Sequence, residues 1–493
     1  MPIPAEILAV ERPKSTKVKK SGDRWLVIKR TCKRVNGKPR AVDLGTIGEI
    51  IDGKYVEIRK EPRKKKIDTI DVKDYGEFAL CNKAAGGLLQ ELADTFDIRT
   101  AKRLYVIAAL RSSYIDIKNR DIQFAYETSF ASEMFPGLAL SENTISSFLE
   151  KVGMEYRYIH AFMKKRVESM TGGNIVIDGM LKDNNSITNS YSEFSRKGAK
   201  KGSKDISLMY AYDTASKEPI AVKPYAGNVL DQRAIEDFVT GLSFKKGLMI
   251  LDKGFFTKES FDKLKQIDGL SYIVPLKRSS SLVTGNGMLD SICTPLDGYK
   301  DAVVFYKKKK VAEDCFLYAF RDPRSASEQE IGYVVHGQKK GTFSADRLAG
   351  KQSEFGTIVF LSKSDLEPLD VYEAYMKRWE IEVMFSLYKD IIDLDTVNVQ
   401  GDYRMYATEL INFLSTIITT RVKRFLSQTK VEVSEKKNGE KVMKEISKLY
   451  SYRQVMHYLS KCKRVRTEEN GTWLSNRKVK YVSKLSEALG LGV

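Results

Sequence analysis

Two acids stand where apolar runs give out. Ile175-Val176-Ile177 leads into Asp178, and Leu248-Met249-Ile250-Leu251 leads into Asp252. A third acid, Glu382, lies in VYEAYMKRWEIEVMFSLYKD, residues 371–390. There Tyr375, Arg378, Glu382 and Lys389 follow one another at steps of three, four and seven. Either Asp alone is an ordinary turn residue, and Arg378 with Glu382 is an ordinary i,i+4 ion pair. Taken together, two Asp and one Glu are a ligand set for Mg²⁺, which prefers oxygen and keeps some of its waters. Two such ions, about 3.5–4 Å apart, can activate an attacking water or 3′-hydroxyl and stabilise the leaving oxygen of a phosphodiester. Tyrosine, arginine and lysine around a carboxylate are side chains that anchor phosphates.

These groups must be positioned. If the two apolar strands are neighbours in one sheet, both Asp emerge at the same edge, where open α/β sheets place their sites. At 3.6 residues per turn, positions 375, 378, 382, 385 and 389 line one helix face, with Trp379, Ile381, Met384 and Leu387 opposite. Glu380 falls about 200° round from Glu382 and reads as a surface residue. Asp213, in MYAYDTAS, reads as a turn residue.

From residue 173 the chain alternates strands and helices: NIVIDGM, then DISLMYAYDTASKEPIAVKPYAG as two strands joined at Ala215-Ser216-Lys217. The helix LDQRAIEDFVTGL, the strand GLMILDKGF and the strand SYIVPL follow, which suits a mixed sheet with helices on its faces. Residues 277–356 interrupt with pieces read as β (AVVFYKKKK, CFLYAF, GYVVHG), an inserted sheet. FGTIVFLSK returns to the body, and 400–425 is helical and apolar on one side.

Upstream, residues 24–50 alternate apolar and basic residues around Asn36-Gly37, a tight β-hairpin. EPRKKK at 61–66 reads as a linker. Residues 80–170 are helical, with Ser141 capping one helix, and could hold a helix-turn-helix reader or a packing module. The tail is basic and partly helical, with a loop at SEKKNGEK. The resulting division is 1–66, a basic region with a hairpin; 67–170, helical; 171–276 with 357–400, the core; 277–356, the β-rich insertion; and 401–493, a helical basic region.

Across 493 residues the formal charge of +19 is uneven. Lys and Arg exceed Asp and Glu by 11 in residues 1–66 and by 11 again in 421–493, leaving a near-neutral middle. Basic ends on a neutral body suggest arms that grip a polyanion. Five scattered cysteines and three histidines argue against disulfides, structural zinc and histidine-based nucleophilic catalysis. No apolar run is long enough to span a membrane and the N-terminus lacks a secretory pattern, so a cytosolic protein is expected.

Tyr375-x2-Arg378-x3-Glu382-x6-Lys389 resembles the signature of bacterial insertion-sequence transposases of the Tyr-Arg-Glu-Lys group, in the DDE superfamily. VIDGM at 176–180 and LDKGFF at 251–256 resemble that family's two Asp motifs. AGNVLD, with Gly227, Asn228 and Asp231, is similar to the turn between them, and the basic hairpin ending in DLGTIG looks like the start of one branch. The resemblance implies an RNase H-like α/β core with an insertion between the second Asp and the Glu. It makes Asp178, Asp252 and Glu382 the catalytic triad that binds two Mg²⁺ ions, for which Mn²⁺ can substitute. It makes Tyr375, Arg378 and Lys389 contacts to the DNA backbone. The implied activity is cut-and-paste transposition on double-stranded DNA: binding of the element's inverted-repeat ends, hydrolysis, and joining of the 3′ end to target DNA. A homodimer, a nucleoid setting in a bacterial cell and a hairpinned DNA intermediate are implied as well. Some family members stack a flipped base on a tryptophan in the insertion. This sequence has none there, so Tyr306, Tyr318 or Tyr333 would have to serve. A structure-specific nuclease on the same core and an inactive DNA-binding derivative are the competing readings.

Overall fold

The computed structural model describes residues 2–35, 38–58, 70–170, 173–194, 204–229, 231–255, 258–390, 396–434, 441–467 and 471–491. They form two compact units: Met1–Ile70 with Thr467–Glu469, and Asp71–Arg466 with Asn470–Val493.

In the first unit, β1 (Thr16–Ser21), β2 (Arg24–Val35), β3 (Lys38–Ile51) and β4 (Lys54–Glu57) make one antiparallel sheet in that order. Its small core is Val18, Val27 and Ile50, flanked by Ile3, Ile7, Val10, Trp25, Ile47 and Tyr55. The expected hairpin is β2–β3; its Asn36-Gly37 tip and the EPRKKK segment lie outside the described residues.

The second unit is a mixed α/β structure around an 11-stranded sheet. The strand Asn174–Asn184 pairs in parallel with Gly247–Leu251, which pairs in parallel with Leu270–Pro275. The helix Lys258–Lys265 supplies the crossover that a parallel pair requires. On the other side, Asn174–Asn184 pairs antiparallel with Lys204–Asp213, which pairs with Glu218–Ala226 through the expected turn. Asp213 builds that turn, accepting from the amides of Ala215 (3.0 Å) and Ser216 (3.1 Å).

The insertion departs from expectation twice. Its strands Phe305–Ala312 and Cys315–Arg321 do form, but they extend the main sheet through Thr357–Ser362 and Leu270–Pro275. GYVVHG is not a strand; it lies inside the helix Pro323–Lys340. Asp322 caps that helix by accepting from the Arg324 amide, Pro323 opens it, and Gly341 closes it at φ 65°. Capping at both ends outweighs the β-preference of Val334 and Val335.

The helical region 76–168 packs around one long helix, Asp402–Gln428. That helix is buried all round from Ala407 to Thr420, not apolar on one side only. Within that stretch two hydroxyls bond back into the helix, Ser415 to the Ile411 carbonyl (2.9 Å) and Thr416 to that of Asn412 (2.8 Å), and Thr419 reaches the Ser112 hydroxyl (3.4 Å). Ser141 caps its helix as expected, and that helix packs so closely that a Cβ on Gly153 would meet the Tyr403 carbonyl oxygen at 1.8 Å. The basic C-terminal region is no free arm. Val455, Met456, Leu459, Val482 and Leu485 join the main core, and Tyr75 donates to the Leu491 carbonyl (2.7 Å). Of the loop expected at SEKKNGEK, residues 435–440 lie outside the described residues. No helix among the described residues is long and apolar enough to cross a membrane.

Candidate catalytic site

The parallel register sets Ile177 beside Leu251, so Asp178 and Asp252 are the next residues of adjacent strands. Their settings differ. The second strand stops at Leu251 and Asp252 enters a short helical turn, Lys253–Phe255. The first strand runs on to Asn184, so Asp178 lies within it, opposite Tyr210, rather than at its end. Because the parallel neighbour ends there, the strand loses a partner on the side where both carboxylates stand.

The Tyr-Arg-Glu-Lys segment is not one helix. Pro368–Met376 and Trp379–Asp390 meet at Lys377-Arg378. Three-residue bonds tighten the joint: the Arg378 amide donates to the Tyr375 carbonyl (2.9 Å), that of Glu380 to Lys377 (2.9 Å) and that of Ile381 to Arg378 (3.2 Å). The single straight face expected for 375–389 is therefore broken after Tyr375. One consequence is that Ile381, Met384 and Leu387 are buried as expected while Trp379 is 66 % exposed. Glu380 is not a plain surface residue either. It turns against Tyr212 and lines a groove with Val383, Met384 and Lys423.

The joint delivers Arg378 into the middle of the acids. Its guanidinium lies 2.9 Å from Glu382, 3.7 Å from Asp252 and 3.8 Å from Asp178. The Asp178 and Asp252 oxygens both face its Nη1, so they stand no farther apart than the sum of those two distances. Tyr375, packed on Phe360 (centroids 4.5 Å), holds its ring 5.7 Å from the guanidinium carbon. Five of the six expected residues thus converge. Lys389 does not: it is exposed, two turns along the helix from Glu382, and no bond joins it to the acids among the described residues.

Burial pushes the Asp178 carboxyl up to about 6; the Gly179 amide (2.8 Å) and Arg378 pull the other way, while Asp252 and Glu382 add to the rise. Burial opposes the charge on Arg378, yet Tyr375 and the three acids hold its pKa above the usual value. Burial likewise raises Tyr375. The acids are all hard oxygen donors, the kind Mg²⁺ takes. As they stand, however, no three His, Cys, Asp or Glu side chains among the described residues are spaced to hold an ion. The guanidinium sits among them.

Behind the site lies a buried polar network that the sequence reading missed. Lys182, four residues beyond Asp178 on the same strand, donates to Glu409 (2.7 Å) and to the Tyr388 hydroxyl (2.9 Å). Tyr388 donates to the other Glu409 oxygen (2.8 Å). Asn412 donates to Glu409 (3.2 Å) and accepts from Arg111 (2.6 Å). Lys182 and Glu409 are almost wholly enclosed, at 1 % and 2 % side-chain exposure. A lone acid in the apolar run YATELINFL was the available signal.

Gly227, in the turn between the Asp motifs, is required by close packing: a Cβ there would meet the Asp205 carbonyl oxygen at 2.3 Å. Of the tyrosines considered for base stacking, Tyr318 is fully buried and donates to the Leu366 carbonyl, which removes it; Tyr306 and Tyr333 are half-buried.

No curated protein matches this chain. Among solved structures, the cryo-EM structure of a piggyBac transposase synaptic complex with hairpin DNA matches with TM-score 0.40 and 12 % identity over 82 % of each chain, too loose a likeness to argue from. Residues 176–414, a span that holds all six signature residues, match the family model described as the transposase DDE domain.

Proposed function

We propose that this chain is a DNA transposase that cleaves at the ends of its element and joins the freed 3′ end to target DNA. The observation that carries the reading is the convergence of Asp178, Asp252 and Glu382 on one guanidinium from three separate elements. The family match over 176–414 supports it. The paired parallel strands and flanking helices agree with an RNase H-like core.

Asp178, Asp252 and Glu382 would hold the divalent ions. When bound, the ions supply activation of the attacking oxygen and charge stabilisation at the leaving oxygen. Arg378, steadied by the Tyr375 ring, has the planar fork that grips a phosphate with two N–H bonds. Lys389 offers an exposed ammonium farther along the same helix, suited to a phosphate beyond the cleaved one. Before ions bind, Glu382 holds the Arg378 guanidinium within the site through its 2.9 Å contact.

The test is to incubate the purified protein with the DNA that flanks its gene and Mg²⁺, and to map cuts and joined products. D178N, D252N and E382Q are each expected to abolish cleavage while leaving end binding within a few-fold. An E382Q protein that cut at the parental rate would overturn the triad. Cleavage without any joined product would favour a nuclease.

A further inference from the structure

β2 and β3 outrun the sheet they belong to. β1 pairs with β2 only as far as Lys29, and β4 pairs with β3 only from Gly48 onward. The Arg30 amide still donates to the Ser15 carbonyl (2.8 Å) and Asp43 still pairs with Lys17, but past them the two strands continue alone, from Thr31↔Val42 to Val35↔Lys38. The register shifts between Val27 and Ile28 and again between Lys29 and Arg30, where Gly45 adopts φ 123°. Bulges of this kind re-aim a strand pair. From Thr31 to Leu44 no described side chain is buried. An isolated two-stranded ribbon is marginal in water and gains little by projecting.

Its charges compound the cost. Residues 29–43 carry six Lys/Arg and one acid, Asp43, which is already shared between Lys17 and Arg30. Cross-strand partners share a face, so Lys33 stands directly opposite Arg40, with Lys38 on the same face. Like charges facing across a ladder repel. Among the described residues Lys33, Arg34, Lys38 and Arg40 have no ion pair to relieve this. Arg34 occupies the opposite face, beside the small side chains Cys32, Ala41 and Pro39. Both faces are thus basic, narrow and uncovered.

We infer that this ribbon, Arg30–Arg34 with Lys38–Asp43, is a DNA-reading arm that enters the major groove of a duplex. The inference rests on the proposed action on DNA and names the surface and the mode. Two strands about 4.8 Å apart fit a groove roughly 12 Å wide, with one basic face toward each wall. Duplex RNA presents similar phosphates but a major groove too narrow for side chains to read. Phosphates on both walls would relieve the Lys33–Arg40 repulsion that no ion pair among the described residues relieves.

The test measures binding of the full chain to a labelled mixed-sequence DNA duplex, and to an RNA duplex of the same sequence, over a range of salt. K33Q/R40Q is expected to weaken DNA binding about tenfold or more. It should also reduce the salt slope by about 1.8, at ~0.9 for each phosphate left without its cation. K19Q/K54Q, two exposed lysines on the sheet outside the ribbon, should change binding less than threefold. RNA should bind more weakly than DNA in the parent and respond little to K33Q/R40Q. The melting temperature of K33Q/R40Q should equal or exceed the parent's, since a repulsion is removed, which excludes misfolding as the cause. Equal losses in the two double variants would overturn the ribbon as the binding surface, and RNA bound as tightly as DNA would overturn groove entry. If the parent bound no duplex at all, the reading of the chain as a DNA enzyme would itself fall.

Discussion

At the scale of the residue, Arg378 decides how the acids coexist. Three carboxylates in a half-buried cleft repel one another, and one guanidinium offsets that repulsion. A divalent ion entering the same space competes with it. In R378Q the acids lose their fixed cation, so Mn²⁺ affinity of the DNA-free protein should rise on the order of tenfold, while the proposed cleavage should be lost with the phosphate grip proposed for Arg378. Titration followed by the electron paramagnetic resonance of free Mn²⁺ reads the affinity; unchanged affinity would show that the arginine does not compete. A second residue-scale effect lies away from the site. Burial, aided by Asp74, pushes Glu77 up to about 8, against the pull of Lys463. Its folded-state pKa is above the unfolded one, so the stabilisation is complete below about pH 4.5 and is lost as pH rises through 8. The urea midpoint should therefore fall from pH 5 to pH 8 by an amount equivalent to a few kcal/mol, and E77Q should flatten that slope.

At the scale of the element, the broken helix matters more than its composition. A continuous helix from Tyr375 to Lys389 would keep Arg378 on a straight line with its neighbours. The tight joint at Lys377-Arg378 lets the guanidinium reach Asp178, Asp252 and Glu382 together. The helix Trp379–Asp390 is then held from behind by Tyr388, tied to Lys182 on the Asp178 strand and to Glu409 on the long helix. Removing one member of a buried pair strands the other's charge. E409L should cost about 3–5 kcal/mol in chemical denaturation, and K182M/E409L should recover most of it. If the double variant were no better than the single, the pair would not be the coupling element.

At the scale of the whole molecule, much was legible along the chain because it is encoded within a few residues. Apolar alternation around a turn signal gave away the β2–β3 hairpin, Ser141 its cap, and Asp213 its turn. Runs such as Leu248–Leu251 marked buried strands, and the spacing of Tyr375, Arg378 and Glu382, though not of Lys389, pointed to the candidate site. The errors were non-local or depended on competition between signals. GYVVHG has strand-forming residues, but the caps at Asp322 and Gly341 lie outside that window and win. The basic C-terminal region looked like an arm because its Lys and Arg far outnumber its acids, whereas Val455, Leu459 and Leu485 among its apolar residues pack into the core. What the amino-acid order settled alone was most of the strands, helices and turns outside the GYVVHG segment and the helix joint at Lys377-Arg378, and which side chains could bind metal and phosphate. What only the tertiary structure decided was that the Asp178 and Asp252 strands are parallel neighbours, that Arg378 stands among three acids, and that Lys182 finds Glu409. Those outcomes depend on burying groups separated by tens to hundreds of positions, and no local preference of the backbone carries that information.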